Sequence, residues 1–153
     1  MADVNKKNAG ETAKELFSAG YNCSESSLLA MCSTLKSEND IIPKIATGFG
    51  GGVSRLGSIC GALSGTIMAM GIIEGRNDPS DNDAKLALYK KVMILINSFN
   101  DEFKSTDCRE LTGCDMLSKE GIKKFEDEKI HEKICSKFVE FAASKGIELL
   151  KKK

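Results

Sequence analysis

The residues of this 153-residue chain with the most chemistry to offer are six cysteines: Cys23, Cys32, Cys60, Cys108, Cys114 and Cys135. A thiolate attacks disulfides, binds soft metals and holds iron–sulfur clusters, whereas a protonated thiol is inert by comparison. Local sequence favours the thiolate at three of them. Cys23 follows Asn22, a good helix N-cap with Glu25 at the third helical position. Cys60 lies two residues after Ser58, another N-cap residue, and Cys108 follows Asp107 with Glu110 three residues on. These patterns place Cys23, Cys60 and Cys108 in the first turns of three helices. There, free N–H groups and the positive end of the helix dipole stabilise negative charge.

Spacing argues differently. The sequence contains no Cys-x-x-Cys, so neither a thioredoxin-type site nor a zinc ribbon is written in it, and no Cys-x-x-Cys-His for covalent haem. Any shared site must be assembled by the fold from distant segments. Cys32 falls on an apolar stripe with Leu28, Leu29 and Leu35 and reads as core. Cys114, just after Gly113 and close to Cys108, reads as a spare thiol or a resolving partner. His131 is the single histidine; flanked by Ile130 and Glu132, it reads as a surface residue, so a Cys–His catalytic pair would rest on it alone. The acidic groups Asp101-Glu102 and Glu126-Asp127-Glu128 lie among lysines and read as solvated faces. No hydrolase or transferase signature appears.

The elements that must position the cysteines read as helical throughout, with 3.6-residue periodicity and no alternating strand pattern. The expected fold is all-α, a compact single-domain bundle of about six to seven helices over residues 1–153, with residues 1–8 and 151–153 as loose tails. Helices are expected over about Ala9 to Ala19, from Asn22 through Leu35, and briefly after Pro43. They continue over Ile59 to Ile72 with Ser58 as N-cap, Asp81 to Lys104 with Ser80 as N-cap, and after Asp107 up to Gly113. Two more cover Met116 to Glu128 and Lys129 to Leu150. The long helix presents Leu86, Tyr89, Val92, Met93, Ile96, Phe99 and Phe103 as a core-facing stripe. A Gly-rich loop, Gly48-Phe49-Gly50-Gly51-Gly52, precedes the Cys60 helix; it lacks the Gly-Lys-Ser/Thr of a P-loop. Gly61 and Gly65 continue at four-residue spacing from Gly57. Glycine inside a helix costs about 1 kcal/mol relative to alanine. Such a row lets another backbone, or an inorganic group, come close; helix packing is the simpler use.

Composition narrows the classes further. Apolar residues make up 41% and charged residues 29%, an ordinary globular balance. The 22 basic and 22 acidic residues cancel, which disfavours nucleic-acid binding. No apolar run reaches membrane-spanning length, so membrane insertion is not expected. The first seven residues hold no apolar leader, and a cytoplasmic, reducing setting is expected, where thiols persist unless they bind metal or do redox work.

Taken together, the spaced pieces resemble the small redox-active proteins of the C_GCAxxG_C_C family. The matching segments are Gly20-Tyr21-Asn22-Cys23, the Gly48 to Gly52 loop, Cys60-Gly61-Ala62-Leu63-Ser64-Gly65, Cys108-Arg109-Glu110-Leu111 with Gly113 and Asp115, and Cys135-Ser136-Lys137-Phe138-Val139. The resemblance covers residues 10 to 145. It implies that Cys23, Cys60, Cys108 and Cys135 are the functional set, with Cys32 and Cys114 outside it, on a compact helical protein with a redox role. Three chemistries are open to such a set. The favoured one is an iron–sulfur cluster held by the four cysteines for electron transfer, serving an unidentified redox partner protein, with the strip at Gly61 and Gly65 clearing space for it. The others are a metal-free thiol–disulfide couple and a structural zinc site with four cysteine ligands. A site shared across a homodimer is compatible with each.

Overall fold

The computed structural model describes residues 8–152. They form seven α-helices: α1 (Ala9–Ser18), α2 (Cys23–Thr34), α3 (Gly61–Glu74), α4 (Asn82–Phe103), α5 (Cys108–Thr112), α6 (Lys119–Asp127) and α7 (Ser136–Lys151). A 3₁₀ turn at Lys44–Phe49 and a π turn at His131–Cys135 complete the set. Among the described residues there is no strand, only an isolated antiparallel bridge between Ile59 and Asp107. No helix is long and apolar enough to cross a membrane. The all-α bundle expected from sequence is the observed architecture. Of the expected tails, residues 1–7 and 153 lie outside the described residues, while Asn8 caps α1 by accepting from the Glu11 N–H.

Helix α2 is the hub, packed against α1, α3 and α7. Its sequence suits that place. Leu28, Ala30, Met31 and Cys32 are fully buried, and the small Ser24, Ser26 and Ser27 let neighbouring backbones approach. Asn22 and Glu25 form the expected capping box. At Gly65 an added Cβ would overlap the Ser24 carbonyl oxygen, so α3 crosses α2 with backbones in contact. The packing use of the glycine row is realised there. Gly10 does the same for α1 against Glu140 and Ser144 of α7.

Several boundaries differ from the sequence reading: α6 begins at Lys119 behind Ser118 rather than at Met116, and the last helical segment opens with the π turn rather than at Lys129. Helix α3 begins at Gly61, with Cys60 rather than Ser58 at the N-cap position. Residues 58–60 are instead drawn out beside 106–108: the Cys60 N–H donates to the Thr106 carbonyl and the Cys108 N–H to the Ser58 carbonyl, each at 2.7 Å. Helix α4 is capped by Asp81, whose side chain accepts from the Ala84 N–H, so the start falls one residue later than expected. Its stripe is also only half right. Leu95 and Phe99 are buried, but Leu86, Tyr89 and Met93 are about 60% exposed. The buried face of this 22-residue helix runs instead through Leu88, Val92, Leu95, Ile96, Phe99 and Phe103, so Leu86, Tyr89 and Met93 fall on the side turned from the core. Phe99, Phe103, Phe138 and Phe141 close its C-terminal end with tilted and edge-on ring contacts.

Candidate functional site

The connections between helices put the thiols where they are. Cys23 is the first residue of α2, behind the Asn22–Glu25 capping box, and Cys108 is the first of α5, behind Asp107, whose side chain makes no capping bond. Cys60 stands at the N-cap of α3, its N–H donating to the Thr106 carbonyl. Cys135 ends the π turn just before α7. A π turn fits an extra residue into a helix, re-aims the side chains at its end, and often marks a functional site.

Cys23, Cys60, Cys108 and Cys135 all line one cavity of about 460 Å³. Cys32 and Cys114 do not: Cys32 is buried in the core, and Cys114 is buried near Cys108 and Cys135, its thiol donating to the Thr112 carbonyl. All six thiols are free. Among the described residues no group of three or more His, Cys, Asp or Glu side chains is arranged to hold a single metal ion.

The Gly-rich loop and its continuation to Arg55 also line the cavity, through Gly50, Gly51, Ser54 and Arg55. Residues Gly51 to Arg55 all have positive φ, three of them not glycine: Val53 at 63°, Ser54 at 50° and Arg55 at 68°. Together they make a turn of left-handed helix, which costs roughly 1–2 kcal/mol for each non-glycine residue. Bonds from the Ser54 N–H to the Gly48 carbonyl (2.9 Å) and from the Arg55 N–H to the Gly50 carbonyl (3.1 Å) hold it. Glycine is required where the turn meets the thiols: a Cβ on Gly52 would sit 2.6 Å from the Cβ of Cys108.

Burial pushes the Cys23 thiol up, while backbone N–H groups of Gly51, Ser24 and Gly61 pull it back toward the thiolate. Two helix starts and the left-handed turn thus aim donors at one sulfur. Cys60 is raised well above its ordinary value by burial, then by the neighbouring Cys23, Cys108 and Cys135 sulfurs, against the Ala62 N–H. Cys108 is pushed up to about 11 and Cys135 is raised further, both chiefly by burial and then by the other thiols. Thiols that oppose one another's ionisation are neighbours, and Cys114 counts among the neighbours of Cys108 and Cys135.

The rest of the lining departs from the sequence reading at one residue. His131, expected on the surface, is half-buried and lines the cavity, its ring stacked flat on Phe17 at 3.7 Å. Only its place four residues before Cys135, one helical turn away, pointed there. Arg55, Tyr21, Asn22 and Phe125 also line the cavity, which has no Asp or Glu in its wall. Gly61 lies directly against the Cys23 sulfur; Gly65 is not in the wall and serves the α2–α3 contact.

A family model described as "Putative redox-active protein (C_GCAxxG_C_C)" matches residues 21–149. An uncharacterized protein of Archaeoglobus fulgidus is 30% identical over 118 residues, which cover 72% of this chain and 78% of that one. No solved structure matches.

Proposed function

The chain belongs to the C_GCAxxG_C_C redox-active family, and on that premise we propose that Cys23, Cys60, Cys108 and Cys135 hold an iron–sulfur cluster that passes single electrons to a partner protein. The observation that carries this reading is the shared cavity. Four cysteines separated by up to 112 positions in sequence line it, and the two remaining cysteines are excluded.

The donor set fits the group. Four thiolates are the ligand complement of a [2Fe–2S] or [4Fe–4S] cluster, and such a cluster, when bound, supplies a site for one-electron exchange. A wall with a single arginine and no carboxylate suits an anionic occupant. The N–H groups of Gly51, Ser24 and Gly61 donate to the Cys23 sulfur, and hydrogen bonds to sulfur raise the potential of such sites. A bound metal deprotonates its thiol ligands outright, so loading would release protons.

Two competing chemistries draw on the same four thiols. A tetrahedral zinc ion needs all four sulfurs about 3.8 Å apart around one ion, from a Zn–S bond of about 2.3 Å, whereas a cluster spreads its ligands over several irons. A thiol–disulfide couple gains from a thiol lowered toward neutrality, whereas burial raises all four here.

Single alanine substitutions test the ligand set by iron content after anaerobic purification. Cys23→Ala, Cys60→Ala, Cys108→Ala and Cys135→Ala each lose most of the iron, while Cys32→Ala and Cys114→Ala keep it. Full iron retention in Cys60→Ala and Cys108→Ala would remove the cavity as the ligand set.

A further inference from the structure

The cavity offers more than thiols. Its volume of about 460 Å³ is within the range of small-molecule sites, about 300–1,000 Å³. Much of its wall beyond the sulfurs is aromatic: Tyr21, Phe125 and the Phe17–His131 stack. At the exposed edge stands Arg55. Of the three arginines in the chain, Arg109 pairs with Asp115 at 3.3 Å and Arg76 donates to the Pro79 carbonyl at 2.6 Å. Arg55 has no side-chain partner among the described residues. Its backbone is nevertheless held in the left-handed conformation, at the end of a run of three strained non-glycine residues. Strain of this kind persists where the surroundings over-determine it, and it clusters at ligand clamps.

We propose that this cavity is also a substrate pocket, which binds a small organic carboxylate with a flat apolar body: the carboxylate is held by Arg55, and the body lies against Tyr21, Phe125 and His131. No Asp or Glu stands in the wall to neutralise the Arg55 guanidinium, which leaves it free to take a carboxylate at the cavity's edge. A planar fork of donors matches a carboxylate in two parallel bonds. The aromatic wall sets the body, because flat rings stack with offset or edge-on geometry. The proposal rests on the reading of the cavity as the redox centre and names the class of substrate that centre would serve.

Benzoate and its neutral isostere benzamide are the probes. Calorimetric titration of the purified protein gives their dissociation constants, NMR locates the site, and iron is measured on the same sample. Benzoate is expected to bind saturably at millimolar concentration and to shift Arg55, Tyr21 and His131 resonances. Benzamide binds about tenfold more weakly, and Arg55→Gln weakens benzoate by about the same factor. Failure of benzoate to saturate, equal binding of benzamide, or an unchanged affinity in Arg55→Gln overturns the proposal. Iron and sulfide without benzoate binding remove the pocket and leave the cluster; benzoate binding by an iron-free protein does the reverse.

Discussion

Gly61 stands directly against Cys23: a methyl group on Gly61 would overlap the Cys23 sulfur and come within 2.9 Å of the Phe49 carbonyl oxygen. The first residue of α3 is thereby fitted to the first residue of α2. Alanine at position 61 is sound for a helix but has no room. Gly61→Ala is expected to displace the Cys23 thiol, lower iron content severalfold, and cost about 1–3 kcal/mol by overpacking. Iron analysis and thermal denaturation check both.

Gly65 and Gly71 lie on the same helix and should respond with opposite signs. At Gly65 an added Cβ meets the Ser24 backbone, which cannot swing aside; at Gly71 nothing lies within 4 Å. Gly65→Ala is expected to lower the melting temperature. Gly71→Ala is expected to raise it by a few degrees, through about 1 kcal/mol of helix propensity. A calorimetric scan of the two variants reads the difference.

The raised thiols fix the alkaline behaviour of the metal-free protein. Cys32 and Cys108 are pushed up to about 11 from an ordinary value of 9.0, both chiefly by burial. Between those values the unfolded chain has lost protons that the folded chain keeps, so stability falls as pH rises. Stability is expected to hold up to about pH 9 and to decline toward pH 11. Iodoacetamide should modify Cys108 slowly at neutral pH, with a rate that climbs over the same interval. Urea unfolding across pH 7–11 and mass spectrometry of the alkylated protein are the checks; a pH-independent midpoint contradicts the burial argument.

His131 packs by its ring. The stack on Phe17 is worth about 0.5–1.5 kcal/mol, so His131→Ala should lose roughly that amount and His131→Phe should keep it. Because four thiolates complete the ligand set, His131→Phe should also hold its iron. Iron loss in that variant would make the imidazole a ligand.

Helix caps make much of this protein legible in its sequence. Asn22 with Glu25 announces the Cys23 position because capping is a local property of four or five residues; Asp107 stands at the expected N-cap before Cys108 but makes no capping bond there. The helix start near Cys60 falls later than the Ser58 signal because a long-range pairing with residues 106–108 overrides it. Leu86, Tyr89 and Met93 are exposed because the core takes the face of α4 that carries Leu88, Val92 and Leu95; apolar residues stand on both faces, so periodicity alone does not choose between them. The same limit applies to the site. Cys23 and Cys135 share a cavity only through tertiary packing, and the left-handed run at Val53, Ser54 and Arg55 contradicts the preference of those residues. The exclusion of Cys32 is readable from its apolar stripe. The inclusion of His131 depends on the π turn and on Phe17 across the cavity.

The most direct measurement is iron and acid-labile sulfide, per chain, in protein prepared anaerobically from a cluster-competent host. The account predicts a coloured protein with iron and sulfide in equal amounts, at two or four of each. A colourless, iron-free product with all six thiols open to titration in the unfolded chain would contradict it.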